Sequence, residues 1–329
     1  MGSELLKKRR TFSCCSEVRE QIMARFSECF LADVRNHASL TQMTGAPPMN
    51  PQFNSLVLFD AYQWKALGSK QVVYKVSDTG LGHVHELFVQ VGGSWNHQNL
   101  TEASGILSLP LANQSTLCGF GWDEGRSKQV VFLTADGHVR EMFTPLGGSW
   151  DHADLTEKAN NAPTASESVG RFSCFEWSVG NTKQVVYLRT DGHIHELFVP
   201  VGGSWGHADL TDLTKAAGAP PASLNCQIVG YHWRAGDAKQ VVYGTDDGHI
   251  HELFVSVGGS WDHADLNQLV TDAPPASTNS VTLAAYDWAD SKQIVYLTDD
   301  GHIHELSIKP GDSWHHADLT KTTSSPPAV

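Results

Sequence analysis

The 329-residue sequence predicts an all-β fold, a β-propeller of four-stranded antiparallel blades, on three observations. A unit of about 55 residues recurs five times. The His of a Trp-x-His element falls at His97, His152, His207, His263 and His316, spacings of 55, 55, 56 and 53. That period is too long for ankyrin or leucine-rich repeats and near that of propeller blades. All ten tryptophans fall two to a unit, the upstream set being Trp64, Trp122, Trp177, Trp233 and Trp288. Within a unit the apolar pattern is that of short strands broken by turn residues, not of helices.

The last unit illustrates the elements in order. Val281 to Trp288 reads as a first strand, and Ala289-Asp290-Ser291 turns into a second, Lys292 to Leu297. Asp300-Gly301 is a tight-turn signal leading to a third, His302 to Leu306. Pro310-Gly311-Asp312 turns again, and Trp314 to Leu319 reads as a fourth. Segments such as Ala216-Ala217-Gly218-Ala219-Pro220-Pro221-Ala222 are unsuited to strands and would carry the chain from the outer edge of one blade to the centre of the next. Radial repetition avoids long exposed sheet edges, which favours a propeller over a linear solenoid.

These signals divide the chain into residues 49–329, a five-repeat propeller with blades at about 52–105, 106–163, 164–221, 222–275 and 276–329, and residues 1–48. Asn36 to Thr41 and Gly45 to Pro48 copy the end of a unit, with Arg35 in place of Trp. Residues 1–48 therefore read either as a worn sixth blade or as a helix from Ser16 burying Val18, Ile22, Met23, Phe26 and Phe30. Six blades account for the terminal copy; five blades plus a helix account for its short length.

Composition narrows the function classes. A net charge of −13 argues against nucleic-acid and anionic-membrane partners, which need clustered Lys and Arg. Lys7 to Arg10 are followed by no apolar run of signal or membrane-spanning length, so the expectation is a cytoplasmic protein or one exported without a cleaved leader. Six cysteines show no metal-site spacing, and Cys118, Cys174 and Cys226 read as buried free thiols.

The third strand alternates His193, His195 and Leu197 on one face with Ile194, Glu196 and Phe198 on the other. Paired histidines invite a metal, but no third ligand stands at obvious spacing and Arg140 replaces the second His of unit two, so neither a metal nor another cofactor is expected. Identical carboxylates spread round a ring suit no two-carboxylate hydrolysis, and no unique nucleophile constellation breaks the repeat, so no catalytic residues are expected. His207 and Asp209, with their counterparts, read as an internal latch between blades. The ligand-binding candidates are the repeated set Trp95, Trp150, Trp205, Trp261 and Trp314; His83, His138, His193, His249 and His302; and Glu86, Glu141, Glu196, Glu252 and Glu305. An indole at a blade edge stacks on the apolar face of a sugar while imidazole, Lys or carboxylate binds hydroxyls.

The runs Gly192 to Phe198, Trp205 to Thr211 and Gly218 to Pro221 resemble the repeats of bacterial propeller lectins of the Photorhabdus lectin type and, more loosely, the fungal Aleuria and Psathyrella propeller lectins. The resemblance covers Leu56 to Val329 and the fragment around His37. It implies a multivalent, calcium-independent lectin with sites between blades, often for fucose or related sugars, and hence glycans or glycoconjugates as partners. Arg140, Gln98-Asn99 and Ser307 depart from the repeat, which leaves three intact sites, with units three and four the closest copies. Homo-oligomer formation stays open. The competing readings are a propeller scaffold for protein partners and an enzyme with one asymmetric pocket.

Overall fold

The computed structural model describes residues 39–48, 59–78, 81–106, 117–166 and 171–328. By internal contacts the chain falls into two units, residues 1–46 and 47–329. The larger holds five four-stranded antiparallel sheets, each with its strands in chain order. These are the blades of the expected propeller. In blade three the strands are Phe172–Trp177, Thr182–Leu188, Ile194–Pro200 and Gly206–Asp209. The first strands of successive blades pack on one another and form the inner layer.

Second strands such as Thr182–Leu188 are buried along their whole length, because partner strands flank them and other blades cover their faces. Tyr74, Tyr187, Tyr243 and Tyr296 are the largest fully buried side chains. Each hydroxyl donates to a proline carbonyl of the segment entering its blade, at Pro47, Pro163, Pro220 and Pro274. These Pro-rich segments do carry the chain inward. Those at Pro163, Pro220 and Pro274 also seat on the preceding blade, since Ala165 N–H donates to Gly137 O at 2.9 Å, and Ala222 N–H to Gly192 O and Ala276 N–H to Gly248 O, both at 2.8 Å. Gly248 has φ +81, and a Cβ there would lie 2.5 Å from the Ala276 carbonyl, so the Asp-Gly turn serves inter-blade packing as well as the hairpin.

Two differences from the sequence reading have local causes. The fourth strand of the last blade is His315–Asp318, and Leu319–Thr323 is a one-turn helix. Asp318 caps it by accepting from Lys321 N–H, and Asn99, Asp154, Asp209 and Asp265 do the same in the other blades. Cys118 and Cys174 are not free thiols. They stand on neighbouring first strands with Cα atoms 6.1 Å apart and form a disulfide between blades two and three, whereas Cys226 is free and buried.

The sixth-blade and helix readings of residues 1–48 rest mostly on positions outside the described residues. Where residues are described, Leu40–Thr44 is a one-turn helix closed by Gly45 at φ +68, as the 210–217 helical turns of blade three close on Gly218 at φ +90. No helix among the described residues is long and apolar enough to cross a membrane.

Candidate functional site

The repeat places its polar side chains at two opposite ends of each blade. In blade three, Lys183 pairs across the sheet with Val199 and Tyr187 with His195, so the two ends lie about 13 Å apart along the strands.

At one end a lysine ammonium sits between aromatic rings. Lys183 Nζ lies 5.2 Å from the Trp122 ring, 5.6 Å from Phe143 and 5.0 Å from Trp205. It donates to Glu141 at 2.9 and 2.7 Å. Trp122, Phe143 and Glu141 belong to blade two, Lys183 and Trp205 to blade three, so the cage is a joint between blades. The same cage recurs as Lys128 with Glu86, Lys239 with Glu196 and Lys292 with Glu252. Trp150, Trp261 and Trp314 close these three cages. Glu196 is 1% exposed, so it is not the open ligand contact that the alternation argument made of it. Burial pushes its carboxyl above the usual carboxylate range, while Lys239 pulls it down. Trp95 stacks on Lys70, and Glu305 on the last blade has no lysine partner among the described residues. Trp288, the last-blade counterpart of buried Trp64 and Trp122, is 67% exposed.

Each cage tryptophan, in a Gly-Gly-Ser-Trp turn or in Gly311-Asp312-Ser313-Trp314 of the last unit, keeps part of its indole accessible, since Trp150, Trp205, Trp261 and Trp314 are all half-buried. Between blades two and three the cage opens into a cleft of about 560 Å³, walled by Trp122, Trp205, Phe143 and Pro200 and bearing Glu141, Lys158, Lys183 and Ser204. An aromatic wall beside fixed charges and hydroxyls is the chemistry that takes up a pyranose ring.

At the other end are the histidines. His193 Nδ1 lies 2.8 Å from Asp209 Oδ2, with equivalents His138–Asp154 at 2.7 Å, His249–Asp265 at 2.9 Å and His302–Asp318 at 2.9 Å. His83 has Asn99 where the others have Asp. His195 stacks between Tyr187 and His207, and its Nδ1 is 2.8 Å from His207 Nε2. The absence of a third potential ligand, inferred from spacing, is therefore corrected. Cross-strand pairing of His195 with Asp209 brings the carboxylate back to the histidine pair. The expected latch also divides. His152 and His263 do reach outside their blades, to Ser104 O and Ala217 O, but Asp209 acts within its own blade as helix cap and histidine partner. This end opens between blades three and four into a cavity of about 1270 Å³ containing His249, His251, His263 and Asp265.

Burial lowers His195 to about 4, against the pull of Asp209, and lowers His251 likewise to about 4, against Asp265. Around His195 the charged and titratable groups are Asp209, His207, Arg189 and Asp191, with His193 on its own strand. Unfolded imidazoles protonate near pH 6.5. Between pH 6.5 and 4 the unfolded chain thus binds about two protons that the folded chain refuses at these positions. Stability present above pH 6.5 is lost as pH falls through that window. Melting temperatures measured from pH 7 to 4 will show the fall, and a His195→Gln, His251→Gln double variant will show a shallower one. An unchanged slope in the double variant would refute the assignment.

No protein-family model matches the chain, and no curated protein matches it in sequence. Solved structures do match in fold. A variant of AofleA from Arthrobotrys oligospora has TM-score 0.57 at 14% identity, covering 81% of this chain and 73% of its own. BP39L lectin from Burkholderia pseudomallei has TM-score 0.56 at 15% identity, covering 83% and 72%. SapL1 lectin, solved with alpha methyl fucoside, has TM-score 0.53 at 16% identity, covering 79% of each chain. The fold is that of the fungal and bacterial β-propeller lectins.

Proposed function

We propose that this protein is a multivalent, non-catalytic carbohydrate-binding protein that takes fucose or a related deoxy or methylated sugar at the tryptophan ends of its blades. The observation that carries the reading is the repetition, between four pairs of blades, of a half-buried indole at the mouth of a lysine, glutamate and aromatic cage. A sugar presents an apolar face of C–H groups and a rim of hydroxyls. The face stacks on Trp205, and the hydroxyls meet Ser204 and Lys158 at the edge of the cleft. A protein-binding face would more naturally vary between repeats than copy one small pocket, and a catalytic site would break the repeat. The fucoside in the SapL1 structure, a protein of the same fold, supports the choice of sugar class.

The test is a glycan array probed with the full chain, its folding checked by far-ultraviolet circular dichroism. Retention on fucosylated glycans at the expense of unrelated ones is expected. A folded protein that binds no glycan would sink the lectin reading.

A further inference from the structure

The histidine ends carry a wiring that an ordinary hydrogen-bond network does not explain. In blade four, His263 Nδ1 lies 3.2 Å from the Ala217 carbonyl oxygen. A carbonyl only accepts, so neutral His263 keeps its proton on Nδ1 and its Nε2 bears a lone pair. His251 Nδ1, 2.9 Å from that lone pair, must then donate, which leaves His251 Nε2 unprotonated. The last blade repeats the pattern: His316 Nδ1 donates to the Asp272 carboxylate at 3.4 Å, and His304 Nδ1 donates to His316 Nε2 at 2.9 Å. Blade three sets the corresponding atoms against each other. His195 Nε2 belongs to a side chain 2% exposed, has no hydrogen-bond partner, and faces Asp209 Oδ2 at 3.5 Å. With His195 in the tautomer that the wiring gives His251 and His304, two acceptors face each other across that gap. A cation between them satisfies both.

We propose that blades three, four and five each bind one divalent transition-metal ion of the zinc class, through His193, His195 and Asp209; His249, His251 and Asp265; and His302, His304 and Asp318. In each trio the ligand atoms lie within 4.8 Å of one another. Zinc bonds of about 2.0–2.2 Å to nitrogen and oxygen bring ligand atoms to roughly 3.4 Å apart, so small side-chain shifts complete the site. Three protein ligands leave a fourth position for water or for a ligand in the cavity between blades. Imidazole donors select zinc, nickel or copper and disfavour calcium, which takes oxygen ligands.

The supporting contacts are those of a metal site. His195 is oriented by its Nδ1 contact to His207, and Asp209 uses Oδ1 to accept from Asp212 N–H, so that Oδ2, 2.8 Å from His193 Nδ1, is the oxygen turned to the histidine pair. His193 and Asp209 side chains are 26% and 21% exposed, so an ion has access.

The two units that depart from the pattern depart in its charge. In unit two Arg140 replaces the buried histidine, and its guanidinium stands 3.2 Å from Asp154 Oδ2, a built-in cation beside the carboxylate. In unit one Asn99 replaces the aspartate, so the anionic ligand is gone.

The experiment uses the full chain without an affinity tag, stripped by chelator and titrated with Zn²⁺ alone against a chromophoric chelator. Each of Asp209→Asn, Asp265→Asn and Asp318→Asn is expected to lower the bound zinc by one equivalent, and the triple variant by three. Asparagine preserves the helix cap, as Asn99 Oδ1 does for Glu102 N–H in unit one, so folding should survive. Asn99→Asp, which restores the trio with His83 and His85, should add one equivalent. Co²⁺ in place of Zn²⁺ should give visible absorption bands that the triple variant lacks. A parent chain that binds no zinc, or a folded triple variant with the parent's full zinc content, would overturn the proposal. The outcome does not depend on sugar binding.

Discussion

Replacing Lys239 by Met is expected to lower stability by about 3–5 kcal/mol, the cost of stranding a buried charge. Lys239 Nζ donates to Glu196 Oε1 at 2.6 Å, with side-chain exposures of 8% and 2%. It also lies 5.0 Å from the rings of Trp177 and Trp261. Methionine fills much of the space and keeps contact with the rings, but it leaves a carboxylate sealed between blades without a counter-charge. A second change, Glu196→Leu, removes that carboxylate. The double variant should recover more than half of the loss, because an apolar pair of similar volume replaces a desolvated ion pair at little cost. Acid should also soften the single variant: burial already raises the Glu196 carboxyl, and without lysine it protonates more readily, so the deficit shrinks as pH falls toward 5. Calorimetric melting of the two variants at pH 7.5 and 5 measures each point. A single variant within about 1 kcal/mol of the parent, or a double variant no better than the single, would remove the ion pair from the account of how blades are joined.

The same pair shows how much of this protein is legible in its sequence. Repeat length, strand count and the inward linkers follow from periodicity and turn residues, because local backbone preferences dictate them. The role of Lys183 does not follow as directly. The signal was present: a charge recurring inside a strand otherwise apolar enough to be buried on both faces must find a counter-charge. The identity of that partner, a glutamate in the previous blade, depends on how blades pack, which no periodicity within one unit encodes. Alternation correctly separated the His193 face from the Glu196 face, yet gave no position along the strand. Trp205 and His193 therefore read as neighbours, although sheet register puts them at opposite ends. The His195 and Asp209 meeting was hidden for the same reason, since positions 14 apart meet only once the third and fourth strands pair. The one-turn helices could have been read from Asp154-Leu155-Thr156-Glu157, where a capping aspartate precedes a glutamate by three.

Trp205→Ala is expected to remove one of four equivalent fucoside sites in a calorimetric titration, with the affinity of the others unchanged. The count of four follows from the complete cages at Trp150, Trp205, Trp261 and Trp314, whereas Trp95 meets only Lys70 among the described residues. Arg140 does not alter this count, because it lies at the histidine end. Ser307 does not alter it either, because its counterparts Phe88, Phe143, Phe198 and Phe254 each serve the cage with the following blade. In the variant, Trp122 and Phe143 still flank Lys183 and Glu141 still neutralises it, so the joint between blades two and three loses one wall and the circular dichroism spectrum stays that of the parent. Removing two sites with Trp205→Ala and Trp261→Ala acts far more strongly on a fucosylated surface than in solution. Each site beyond the first binds at the high effective concentration set by its tether, so retention on the surface should fall by about 10²-fold while two solution equivalents remain. Three outcomes separate the alternatives. Unchanged stoichiometry would place the sugar away from the indoles. Loss of all binding by a folded single variant would mean one asymmetric site and not a repeated one. Unfolding of the single variant would make Trp205 a structural wall of the cage, and the sugar reading would then pass to the histidine-end cavity around His249 and Asp265.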